Sequence, residues 1–164
     1  MLKLSDIFPS YEYKKDIYSP DRNIRCHFEL KNQQITYSVY KDQIEIIKKS
    51  KLGLKICGEY SFPHNPKIVR IKEEQHRETI EMLWGEDQYI NNNYSEVAFY
   101  ISEESQYGRI ITIRFRVFDD SVAFRYEIPP QPKFSQISIK AESTEFNIEH
   151  GSAVWKIPAY QPDR

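Results

Sequence analysis

The sequence predicts an all-β protein, a single antiparallel β-sandwich, and three observations predict it. Apolar and polar residues alternate strictly over several short runs, the period of a strand with one buried and one wet face. Turn chemistry separates those runs at short intervals. Aromatic residues make up 14% of the 164 residues, with 12 Tyr, 9 Phe and only 5 Gly, an enrichment that pleated, half-buried surfaces favour. Flat rings also stack on pyranose faces, and composition does not separate those two uses.

Residues 1–18 carry no sustained period, and little regular structure is expected there. SPDRN at 19–23 is a turn. Ile24, Cys26, Phe28 and Leu30 then alternate with Arg25, His27 and Glu29, KNQQ reverses the chain, and Ile35, Tyr37 and Val39 repeat the beat. That pattern is a hairpin. QIEIIKK (43–49) and KLGLKI (51–56) are two further short strands, and SFPHNP (61–66) is a loop. Residues 68–85 have a helix-like supply of charge, but Val69, Ile71, Ile80, Met82 and Trp84 make no continuous helical stripe, so the segment is expected to be a strand with a charged face.

The clearest stretch is EVAFYISEE (96–104), RIITIRFRVFD (109–119) and SVAFRYEI (121–128). Ile111, Ile113, Phe115 and Val117 alternate with Thr112, Arg114, Arg116 and Phe118, and Asp119-Asp120-Ser121 leaves room only for a tight antiparallel turn. PPQP at 129–132 breaks the chain. Short strands are expected at 135–140, 144–148 and 152–156, the last with Trp155 in the core between two sheets. There is no internal repeat, so one domain over residues 19–164 is expected.

Charge and cysteine usage exclude several classes. With 23 basic and 24 acidic residues, the net charge of -1 supplies no field for nucleic acid or an anionic membrane. No run approaches the ~20 apolar residues of a membrane span. Cys26 and Cys57 make no disulfide framework, and no Cys or His spacing suggests zinc. The first 16 residues lack the apolar core of a secretory signal.

Catalytic patterns are equally sparse. His27, His64, His76 and His150 form no metal-binding spacing, and no nucleophile elbow or phosphate loop occurs. Asp119-Asp120 pairs two carboxylates, as glycoside hydrolysis or a calcium site would need, but Asp in a turn ordinarily caps its own backbone. Trp84-Gly85-Glu86 and Asn91-Asn92-Asn93-Tyr94 could face sugar hydroxyls; Asn-rich loops are also turns that tolerate left-handed backbone. No residue is assigned as catalytic, as substrate-binding or as a metal ligand.

Several stretches, in order, resemble the amino-terminal domain of glycoside hydrolase family 97. They are SPDRNIRCHFEL with ITYSVY, SKLGLKI, ETIEMLWGEDQYINNNYSEVAFYI, RIITIRFRVFDDSVAFRYEIP, STEFNI and AVWKIPAYQPDR. RVFDDSVAFRYEIP is the most specific. The resemblance implies a mutarotase-like supersandwich, incomplete in this chain, standing before a catalytic (β/α)8 barrel. It implies an α-glucosidase or α-galactosidase parent, periplasmic or secreted, with acid and nucleophile or base on the barrel. Calcium is implied for the full-length enzyme and no cofactor for this chain, with carbohydrate as partner through the parent. The chain is expected to be non-catalytic and to pack beside the active site; the alternatives are a stand-alone carbohydrate-binding module and a generic interaction domain. An incomplete sandwich leaves an open edge or face, so a homodimer covering it is also expected.

Overall fold

The structure, a computed structural model, describes residues 11–56, 62–104, 108–131 and 136–155. Twelve strands and no helix occur among them. Sheet 1 contains β1 (Tyr13–Tyr18), β2 (Ile24–Lys31), β3 (Gln34–Lys41) and β4 (Ile44–Leu52) in that spatial order. Sheet 2 has the order β11 (Val122–Glu127), β10 (Ile110–Phe118), β9 (Tyr94–Glu103) and β6 (Pro66–His76). Two small pairs complete the fold: β5 (Leu54–Ile56) with β12 (Ile139–Glu142), and β7 (Thr79–Glu81) with β8 (Tyr89–Asn91). All pairings within the two main sheets are antiparallel.

Local chemistry sets the sheet 1 hairpins. Asn32 and Gln33 take φ of 50° and 64°, and Asp42 and Gln43 take 49° and 68°. Two consecutive left-handed residues make a two-residue turn whose twist matches the strands it joins. Each turn therefore holds register, pairing Lys31 with Gln34 and Lys41 with Ile44.

The register sends Cys26, Phe28, Leu30, Ile35, Tyr37 and Val39 inward from sheet 1. Phe99, Ile101, Ile111, Ile113, Phe115 and Val117 meet them from sheet 2. Phe28 and Phe99 lie face to face across the two sheets, centroids 3.9 Å apart, with Phe115 edge-on to both. Burial pushes the Cys26 thiol up to about 12, so it is an inert apolar filler. The antiparallel sandwich expected from the sequence is what forms.

Several expectations are corrected. Tyr13–Tyr18 is a strand, although its segment was expected to have little regular structure; Ile17 is its only fully buried residue, so pairing with β2 rather than apolar period defines it. β4 runs through Ser50, where two separate strands were expected, and β5 leaves the sheet after Gly53. The charged strand expected over 68–85 stops at His76, and β7 belongs to a separate hairpin.

Towards the end of the described chain, only β12 is a strand. Asn147 makes a single bridge to Lys48 where 144–148 was expected to be a strand, and residues 152–155 form none. Trp155 is 95% exposed rather than in the core, and among the described residues the interior is filled by others, Phe28, Phe99 and Phe115 among them. Cys57, residues 132–135 and residues 156–164, including Pro158–Pro162, lie outside the described residues.

Residues 143–147 close one seam of the sandwich. The Glu145 amide donates to the Lys51 carbonyl, the Tyr37 hydroxyl donates to the Glu145 carbonyl at 3.0 Å, and Phe146 lies against Tyr37 and Phe124.

Candidate functional site

One end of the sandwich gathers three of the segments that stand out in the sequence. β1 leaves there into the 19–23 turn, β6 continues there into the β7–β8 hairpin, and β10 turns there into β11. Register fixes this, since Tyr94 pairs with His76 on one side and Phe118 on the other. Loops at one end of a rigid sandwich are a common place for binding. Between β1 and β6 lies a cleft of about 430 Å³, lined in part by Asp16, Ser19, Arg22, Glu73 and Glu96 and spanned by the Lys15–Glu73 ion pair at 2.7 Å.

The double Asp is structural. Asp119 accepts the Asp21 backbone N–H at 2.9 Å, and Asp120 accepts the Ser121 hydroxyl. Asp21 in turn accepts the Ser19 hydroxyl and the Asn23 backbone N–H, which hold its carboxyl below the usual range. These carboxylates tie two turns together, as turn chemistry anticipates.

The asparagines behave differently from the expectation. None of Asn91, Asn92 and Asn93 has positive φ; the left-handed residues are elsewhere. Asn93 Oδ1 accepts the Glu78 backbone N–H, and the Asn92 N–H donates to the Glu78 carbonyl at 2.8 Å. They lock the base of the β7–β8 hairpin and do not form an open sugar-facing loop.

The outer face of sheet 2 carries the densest polar chemistry. Glu96, 6% exposed, lies between Arg114 and Arg116, and Arg116 Nε donates to it at 2.7 Å. Arg114 also forks onto Glu127 at 2.7 and 3.0 Å, and Arg125 joins Glu127 at 2.6 Å. Burial opposes ionisation of Glu96, but the hydrogen bonds from Arg116 and Arg114 outweigh it and hold the carboxyl below its ordinary range. Arg114 holds Glu127 low in the same way, with Arg125 assisting. Both carboxyls are thus tied up by arginine and held in the ionised form. Beside the network, His76 stacks on Tyr94 at 4.8 Å and Arg116 covers the same ring at 4.5 Å. Tyr94 is 7% exposed and offers no free platform for a sugar.

A pH dependence follows from those depressed carboxyls. A group with a lowered folded pKa contributes stability that is present above its unfolded value and lost as pH falls through the folded one. Wild-type protein is expected to lose stability steeply below about pH 4. Glu96→Gln is expected to start less stable at pH 7 and lose less on acidification. Urea midpoints measured from pH 7 to pH 3 check both; parallel curves for the two proteins would exclude the role given to Glu96.

The histidines are dispersed: His27 bonds Asp16 at 2.6 Å, His76 bonds Glu78 at 2.9 Å, and His64 and His150 are exposed. Among the described residues no three His, Cys, Asp or Glu side chains come together to hold a metal. Sequence reasoning identified the wet face of β10 but missed the network on it. Its signal was Arg114 and Arg116 on one beat of the strand, although their partners come from β9 and β11 and depend on strand order.

Over residues 17–164 the chain matches the family described as Glycosyl-hydrolase 97 N-terminal. It is similar to a glycoside hydrolase family 97 enzyme from Pseudoalteromonas sp. strain K8 solved in complex with panose, with a TM-score of 0.76 and 28% identity over 83% of this chain and 20% of that one. The values are the same for a structure from that strain in complex with acarbose. A β-arabinopyranosidase shares the fold, with a TM-score of 0.73 at 23% identity over 82% of this chain and 21% of that one. The chain therefore spans about a fifth of the length of the solved structures it matches.

Proposed function

The chain belongs to the glycosyl-hydrolase 97 N-terminal family, and from that we propose that it is the non-catalytic amino-terminal sandwich of an α-glycosidase, packing on the catalytic part and shaping one wall of its active site. The observation that carries the reading is coverage: 83% of this chain matches 20% of a family 97 enzyme. The chemistry is compatible with that reading, because the outer-face carboxylates Glu96 and Glu127 are taken up in ion pairs with arginines.

Panose is an α-linked glucose trisaccharide and acarbose mimics such a chain, so the ligands of the Pseudoalteromonas structures favour an α-glucoside over an α-galactoside as the substrate class. Calcium is part of the same proposal for the whole enzyme, with most of its ligands supplied from outside the residues described.

The test compares the 164-residue chain with the product of the reading frame extended downstream. The extended protein is expected to hydrolyse p-nitrophenyl α-glucoside in preference to the α-galactoside, and the chain alone is expected to hydrolyse neither. A frame that encodes no hydrolase overturns the reading. Calorimetric binding of maltooligosaccharides to the chain alone would instead support a stand-alone binding module.

A further inference from the structure

The β7–β8 hairpin pairs only with itself, yet it carries the most exposed apolar side chains near the candidate site. Leu83 is 96% exposed and Trp84 85%, at the tip. Ile80 and Ile90 are directly opposed across the two strands and both exposed, next to exposed Met82. A two-stranded hairpin is marginal alone, and an exposed apolar patch at its tip marks a surface that something else covers. The arm is nevertheless preformed. Met82 donates to the Gln88 carbonyl at 2.7 Å, and the asparagine contacts with Glu78 fix its base.

Charge and covering chain identify the occupant. Residues 77–93 hold Arg77 against Glu78, Glu81, Glu86 and Asp87, so the arm is acidic around an apolar tip. Like charges oppose pairing with the same arm of a second copy, and an acidic rim opposes an anionic membrane. Trp84 could stack on a sugar ring, but Leu83 beside it, fully exposed, has no such role. Four-fifths of the similar Pseudoalteromonas enzyme, meanwhile, lies outside the stretch this chain matches. We propose that the hairpin is a docking arm: Leu83 and Trp84 seat in an apolar notch, rimmed by Lys and Arg, on the remainder of the hydrolase. Buried Trp anchors of this kind dominate interface energies.

The inference rests on the reading of the chain as part of a longer hydrolase, and the experiment separates the two. Hydrogen–deuterium exchange is followed over residues 77–93 in the 164-residue chain and in the extended enzyme. Exchange across Ile80–Ile90 is expected to be at least about tenfold slower in the extended enzyme. Leu83→Ser with Trp84→Ser should abolish that protection and leave the Asn32-Gln33 turn unchanged. An active extended enzyme whose hairpin exchanges as fast as in the chain alone overturns the docking arm and leaves the functional reading intact. A frame without a hydrolase removes both. Protection in the chain alone that grows with its concentration, or on adding maltotriose, would assign the arm to a second copy or to sugar and overturn the proposal.

Discussion

Phe99→Ala is expected to destabilise the sandwich by about 3–5 kcal/mol, the range for truncating a fully enclosed aromatic. Phe99 is 0% exposed and is held on three sides, by Phe28 at 3.9 Å, Phe115 at 6.2 Å and Tyr13 at 6.3 Å. Phe28 and Tyr13 belong to sheet 1 and Phe115 to sheet 2, so the ring is a central contact among those through which the sheets meet. Removing it leaves a void walled by rigid strands that cannot collapse into it. Domains of this size hold about 5–15 kcal/mol in total, so about a fifth or more of the stability is at stake. With a urea m-value of about 2 kcal/mol/M, the midpoint should fall by about 1.5–2.5 M. Phe99→Leu keeps most of the volume and should cost about 1.5 kcal/mol or less. A midpoint shift below about 0.5 M for Phe99→Ala would show that this ring is not central to the packing between the two sheets.

That core was legible in the sequence because burial on one face imprints a period of two. Phe28, Phe99 and Phe115 all fall on the apolar beat of runs that read as strands, and the structure buries all three. Where burial is absent or one-sided by only a residue, the imprint fails. β1 buries only Ile17 fully, since an edge strand carries Lys14, Lys15 and Asp16 to water, so it looked irregular. β7 and β8 are exposed on both faces: β7 fell inside the charged strand expected over 68–85, and β8 carries no apolar beat to mark it.

Trp155 failed for a different reason. A tryptophan's burial depends on what lies opposite, which is a property of topology rather than of its neighbours in sequence. The network on sheet 2 is a similar case. Arg114 and Arg116 were visible as the wet beat of β10, but Glu96 becomes their shared partner only once β9 is placed beside β10 in a register that pairs Glu96 with Arg116. Asp119, by contrast, was legible as a turn residue because the rule involved is local, even though the N–H it accepts belongs to Asp21.

The buried pair at the opposite end of the sandwich should produce the second large effect. Glu103, 2% exposed, closes β9, and Arg109, 4% exposed, immediately precedes β10. Arg109 forks onto the carboxylate through Nε and Nη2, the latter at 2.9 Å, while its guanidinium lies over the Phe62 ring at 5.0 Å. Both charges have left water, so removing Arg109 takes the bidentate cation away from a buried carboxylate. Arg109→Met is expected to cost about 3–5 kcal/mol, comparable to losing Phe99. The pair itself contributes less than that number suggests, because most of the cost is the penalty of a buried carboxylate deprived of its cation. Removing both charges tests this: Arg109→Met with Glu103→Leu should be clearly more stable than Arg109→Met alone. Urea denaturation of wild type, both single variants and the double variant closes the cycle, and a coupling of at least about 1.5 kcal/mol is expected. Coupling near zero would mean that each side chain is held by its other contacts and that the ion pair is incidental. Strong coupling would make the pair the charge-matched latch between β9 and β10, at the end away from the β7–β8 hairpin, so that its loss destabilises the sandwich without touching that hairpin.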